Sequence, residues 1–168
     1  MKKQSDEKKH DVAVGELFPA QQEVPNCFGC GQKNPSGLRL RFRRHGPLSV
    51  STEFTAPRDW TGWSDMLHGG FHSFLLDEIT AWVPFAILEE RSFVTKEMQI
   101  RYLKPGRVGR PLTIVGHLME DKGREILVRG EIRDERGTVL SEAVCTLVRV
   151  SREAFEKIAA STVYEKNE

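Results

Sequence analysis

The sequence predicts one α+β domain in which an antiparallel sheet of about six strands wraps around a single long buried helix. Three observations predict it. Apolar and polar residues alternate in six separate stretches, the pattern of strands with one covered face. Links of hairpin length join most of them, which favours antiparallel pairing. Between the second stretch and the third the period changes, and Phe71, Phe74, Leu75, Ile79, Trp82, Val83 and Ala86 recur at helical spacing.

Taken in order, residues 1–24 read as a charged, proline-interrupted tail or loosely attached lead-in, 25–150 as the domain, and 151–168 as a short C-terminal helix and tail. Leu38–Arg44 and Leu48–Phe54 alternate around a loop at Arg44-His45-Gly46-Pro47. After Pro57 the chain turns irregular through Trp60-Thr61-Gly62-Trp63-Ser64. The helix is expected from Gly69 to about Ile87. It is apolar around most of its circumference, so it should be buried, and Pro84 should kink or end it. Val94–Tyr102, Leu112–Leu118, Ile126–Ile132 and Thr138–Val150 complete the sheet, the last two joined at Asp134-Glu135-Arg136-Gly137. Ser151 is placed to cap a terminal helix that turns Phe155 and Ile158 inward.

Composition narrows the function classes. A chain of 168 residues supplies one substantial core but not two. Charged residues at 29% and apolar ones at 39% argue against a disordered or membrane-embedded chain. Lys plus Arg is 25 against Asp plus Glu 24, so net charge gives no basis for a nucleic-acid or membrane-surface partner. The local basic run Arg39, Arg41, Arg43 and Arg44 is the wet face of a strand that carries Leu38, Leu40 and Phe42 on its other side. No aromatic residue interleaves there to stack a base. The first eleven residues lack the apolar stretch of a secretory signal, and no apolar run approaches a membrane span. Three cysteines make no disulfide framework, so a reducing cytoplasm is the expected compartment.

The stretch from Leu67 through His68-Gly69-Gly70 to Asp77-Glu78 resembles the helix-opening motif of the hotdog-fold thioesterases of the PaaI-like, phenylacetate-pathway group. Their pattern is His-Gly-Gly, six residues, then an acid, here Asp77. Cys27-Phe28-Gly29-Cys30-Gly31-Gln32-Lys33-Asn34-Pro35-Ser36-Gly37-Leu38 is similar to the lead-in of one branch, and Val94–Pro105 to its third strand. The resemblance implies the hotdog fold, a homodimer or a dimer of dimers, and sites at the dimer interface. It implies an acyl-CoA substrate, water as acceptor, and no metal or organic cofactor. It also implies that Thr95, eighteen residues after Asp77, helps to hold the attacking water; a strand threonine selected for β-branching is the other reading. Some members carry an amide side chain six residues before the histidine, where this sequence has Gly62, so no oxyanion role passes to a side chain at that position.

Thioester hydrolysis needs an oxyanion donor and a base or nucleophile. The unpaired N–H groups at a helix start supply the first, and Gly69 and Gly70 let a carbonyl approach them, although glycines also simply permit a tight turn. Asp77, set among Leu75, Leu76 and Ile79, supplies the second, as base or as nucleophile; its neighbour Glu78 reads as an exposed surface acid. Gly69 and Asp77 are eight residues apart, about 12 Å along a helix. Both must lie near the same reacting carbonyl, so one straight helix cannot provide both, whereas two helices related by a two-fold axis can.

His68 is expected to bond backbone near the helix start or, alternatively, to meet substrate. His72 reads as packed. Trp63 walls the acyl or pantetheine channel or enters the core, and Phe71, Phe74, Trp82 and Phe85 are candidates for setting pocket depth. Arg101 and Lys104 either meet coenzyme A phosphates or form the wet face of a strand. Cys27-x-x-Cys30 invites a zinc or redox reading, but no second ligand pair and no βαβ pattern accompany it, so no metal is expected, a zinc shared between protomers being the alternative. Cys145 reads as core. Gly-x-Ser-x-Gly, a phosphate-binding glycine loop and His-Glu-x-x-His are all missing. The rival to an acyl-CoA thioesterase is a non-catalytic hotdog dimer that binds an acyl ligand as sensor or carrier.

Overall fold

The computed structural model describes residues 12–20 and 24–160, without the side chains of 158–160. The strands are β1 (Arg43–Gly46), β2 (Ser49–Thr55), β3 (Phe93–Tyr102), β4 (Pro111–Asp121), β5 (Glu125–Arg133) and β6 (Val139–Arg149). The helices are α1 (Gly69–Ile87) and α2 (Arg152–Ala160). The six strands form one antiparallel sheet in the order β1-β2-β4-β5-β6-β3, and α1 lies across its concave face, chiefly over β4 and β5. The expected α+β architecture is the observed one.

Two glycines set how closely the helix seats. Gly116 on β4 and Gly130 on β5 face each other across the ladder, directly beneath α1. A Cβ at Gly116 would stand 2.7 Å from Val83 Cγ2 and 2.9 Å from the Ile79 carbonyl oxygen; one at Gly130 would stand 3.1 Å from Leu76 and Thr80 side-chain atoms. With that gap closed, Leu75, Leu76, Ile79 and Val83 pack against Ile114, Ile126, Val128 and Ile132 with 1% exposure or less. Gly116→Ala should therefore cost about 2 kcal/mol by overpacking. Urea unfolding should show a lower midpoint at unchanged slope.

Several expectations need correction. Leu38–Phe42 buries Leu40 and Phe42 as the alternation requires, but it is not a strand of the sheet. Its backbone bonds instead to the preceding loop, Leu38 N–H to Phe28 O (2.8 Å) and Leu40 N–H to Gly29 O (2.9 Å), and Arg39 takes a φ of 52°. Nor is all of the lead-in loosely attached. Phe18 is 3% exposed beside Trp82, and Gly15 and Glu16 exchange backbone bonds with Arg44, closing off the β1 edge. The packed unit thus begins before residue 25. Helix α1 runs through Pro84 to its expected end at Ile87 and closes where Leu88 and Glu90 N–H both reach the Pro84 carbonyl. Glu78, finally, is no surface acid, as described below.

The loop expected at Arg44-His45-Gly46-Pro47 is mostly strand, since β1 runs to Gly46 and the turn falls at 47–48, whereas the β5–β6 turn is as read. The Asp134 carboxylate accepts from Arg136 and Thr138 N–H, and Gly137 supplies the positive φ that the β5–β6 turn needs. Ser151 Oγ accepts from Ala154 N–H and caps α2, on which Phe155 is half-buried; Ile158 lies outside the described side chains. Among the described residues no helix is long and apolar enough to cross a membrane.

Candidate active site

The start of α1 has a specific cap. His68 sits at φ −60°, ψ 136°, its Nδ1 accepts from Gly70 N–H (3.0 Å), and its carbonyl accepts from Phe71 N–H (2.9 Å). That occupies the Gly70 donor, so Gly70 cannot also offer an N–H to a substrate. Gly69 N–H remains, with no acceptor among the described residues. The Gly69 carbonyl accepts from Tyr102 Oη (3.2 Å) and Ser73 Oγ (3.3 Å), and those two hydroxyls are 2.9 Å apart. The first turn of α1 is thereby tied to the end of β3.

This turn opens on a cleft of about 620 Å³ lined by Trp63, His68, Gly69, His72, Tyr102 and Lys104, with Leu67 and the Leu103–Gly106 loop. Its volume falls within the range of small-molecule sites. Trp63, 79% exposed, stands at the rim and has no core role. His72 forms a wall; burial holds its imidazole below the usual range, and its Nδ1 is 2.8 Å from Ser141 Oγ.

Asp77 lies elsewhere, two turns along α1 and absent from this cleft. It is half-buried and accepts from Thr95 Oγ1 at 3.0 Å, near the start of β3. One carboxylate oxygen is thus occupied by a hydroxyl donor. The candidate residues thus fall into two separate groups, Gly69 with Tyr102 at one end of β3 and Asp77 with Thr95 at the other. Strand β3 is an edge strand, and among the described residues nothing pairs with its outer side.

Other candidates lie outside both groups. Arg101 points away from the cleft and pairs with Glu142 (3.0 Å) in a charge ladder that continues through Arg129 and Glu131 on the outer face of the sheet. Phe74 packs edge-on against Phe28 of the lead-in, ring centroids 5.4 Å apart. Glu78, expected at the surface, turns inward onto the Cys27–Cys30 loop, 4.0 Å from Cys27 Sγ. Burial, and then the adjacent Cys27, push its carboxyl up to about 7. Alternation and helical spacing gave no sign of this, because the contact is made by an irregular loop fifty-one residues earlier. Tyr102 also went unnoticed as a site residue, since its role depends on where β3 ends relative to α1.

The model of the thioesterase superfamily matches residues 65–141, which run from the approach to α1 into β6. A curated relative, MIOREX complex component 3 of Saccharomyces cerevisiae, is 26% identical over 135 residues. The match covers 76% of this chain and 48% of that protein, so the chain spans about half the length of the curated relative it matches. Among solved structures, the thioesterase superfamily protein RHA08564 aligns with a TM-score of 0.66 at 26% identity, over 74% of this chain and 60% of that one. Escherichia coli PaaI, from the phenylacetic acid degradation operon, aligns with a TM-score of 0.62 at 17% identity, over 68% and 81%. A hypothetical thioesterase of Streptococcus pneumoniae TIGR4, crystallised with coenzyme A, aligns with a TM-score of 0.61 at 20% identity, over 67% and 86%. The sheet wrapped on one helix is the hotdog fold. The segment from the approach to α1 into β6 is similar to the thioesterase superfamily.

Proposed function

We propose that the protein is a PaaI-like thioesterase that hydrolyses an aryl- or medium-chain acyl-CoA at a site built by two copies of the chain. The observation that carries this reading is the pair of half-sites at opposite ends of one open edge strand. Pairing two β3 edges antiparallel about a two-fold axis sets the Tyr102 end of one strand against the Thr95 end of the other. The free Gly69 N–H of one protomer then faces the Asp77 of its partner copy across the ligand. The Asp77 oxygen not engaged by Thr95 accepts a proton from water. The water oxygen bonds to the thioester carbon, Gly69 N–H stabilises the resulting oxyanion, and the carbon–sulfur bond breaks as Asp77 returns its proton to the departing sulfur, releasing acid and coenzyme A thiol. Lys104 at the cleft suits the coenzyme phosphates, and Trp63 at the rim suits the pantetheine arm. Arg101, already paired with Glu142, is not used.

The superfamily match and the coenzyme A held by the pneumococcal neighbour support the substrate class. A cytoplasmic setting, inferred from the unpaired cysteines, belongs to the same proposal. The test is a panel of acyl-CoA esters assayed by free-thiol release, with light scattering at the assay concentration. We expect slow turnover of at least one aryl or medium-chain ester by a dimer or a dimer of dimers. Release at background for every ester would overturn the enzymatic reading, and full activity from a monomer would overturn the shared site.

A further inference from the structure

The lead-in loop carries a second constellation onto α1, and none of its residues lines the Gly69 cleft. One ligand-type atom each from Cys27, Cys30 and Glu78 lies within 4.8 Å of the other two. Cys30 is buried, and Cys27 and Glu78 are half-buried. We propose that these three residues bind one zinc-like divalent ion, with solvent in the fourth position, and that the ion fastens the lead-in loop to the central helix beside Asp77.

The ligand chemistry selects the ion class. Two thiolates favour zinc over magnesium or calcium, and an added carboxylate is an ordinary zinc ligand. Distances fit with little movement. A tetrahedral zinc with bonds of about 2.3 Å to sulfur and about 2.0 Å to oxygen separates those two ligands by about 3.5 Å. The Cys27 Sγ to Glu78 Oε2 separation of 4.0 Å needs only a small closure.

The loop is shaped around this spot by crowding. A Cβ at Gly29 would lie 2.3 Å from the Glu78 carboxyl, and one at Gly31 would lie 2.4–2.5 Å from backbone atoms of Cys27 and Pro25. Glycine at 31 is therefore required by the turn itself, and glycine at 29 leaves room for the Glu78 carboxyl. Trp82, one turn along α1, carries a buried Nε1–H that lacks a well-formed hydrogen bond among the described residues and is directed towards Glu78. It is placed as the outer contact that a ligating carboxylate commonly has. In their deprotonated, ligating forms the three groups would repel one another in this partly desolvated site, and a dication would remove that repulsion.

The test needs no enzymatic readout, so it succeeds or fails independently of the thioesterase proposal. Full-length protein purified under reducing conditions, equilibrated with zinc and desalted, should hold about one zinc per chain by plasma mass spectrometry. Glu78→Gln and Cys30→Ala should each lower retention at least about tenfold. Where a variant fails to fold, the wild type decides alone. Cobalt loaded in place of zinc should show a thiolate-to-metal charge-transfer band and tetrahedral visible bands, and chelation should lower the melting temperature. Wild type that desalts without metal, or cobalt spectra lacking the thiolate band, would overturn the proposal. So would equal retention by the variants, or a Cys27–Cys30 disulfide found in place of the ion.

Discussion

Asp77→Asn should lower the turnover of the preferred acyl-CoA by about 10²–10⁴, the range assigned to loss of a positioned base. Coenzyme A should still bind within about twofold of wild type, because the change removes no ground-state contact to it. The asparagine is nearly isosteric, and its carbonyl oxygen can keep the 3.0 Å hydrogen bond from Thr95 Oγ1, so the half-buried face of α1 has no reason to rearrange. Only the free lone pair that takes the proton of water is lost. Stopped assays of thiol release, paired with calorimetric binding of coenzyme A, separate the two effects. Equal rates for variant and wild type would favour a dimer that merely holds an acyl ligand, with hydrolysis as background. Loss of binding and turnover together would mean that Asp77 supports the pocket and not the chemistry.

The parts of this site that could be read from the sequence are those fixed by local pattern. The helical period from Phe71 to Ala86, the glycines that open it and an acid among leucines all specify position along one element, and the structure keeps them there. Relations between elements were only partly legible. Gly116 and Gly130 look like unremarkable strand glycines until the register places them opposite each other under Val83 and Leu76. Glu78 follows Asp77 in sequence yet points about 100° away around the helix, where an irregular loop, not solvent, receives it. The lead-in loop has no periodicity to interpret, because its backbone bonds to itself and to Leu38 and Leu40 rather than to a ladder. The resemblance carried more for the helix motif than for Gly70, whose amide proves to be taken by His68.

The sharpest test of the shared site follows from the same cap. Gly69 is the first residue of α1, a position where proline is well accepted and where the lost N–H has no partner within the helix. His68 already holds φ −60° and ψ 136°, the extended conformation that a following proline demands. The nearest atom to a Cβ at Gly69 is Tyr102 Cε1 at 3.5 Å, an ordinary contact. Gly69→Pro should therefore delete the oxyanion donor from an intact helix, costing about 10²–10³ in kcat at nearly unchanged melting temperature. Alone, each of Asp77→Asn and Gly69→Pro leaves both sites of a dimer defective. A mixed dimer pairs the intact Gly69 of one chain with the intact Asp77 of the other and so restores one site in two. Random reassortment of equal amounts makes half of all dimers mixed, so about a quarter of wild-type activity should return. Recovery at that level requires the donor and the base to come from different chains. If the mixture is no more active than its components after verified subunit exchange, each chain must complete its own site, and the pairing of half-sites across β3 is wrong.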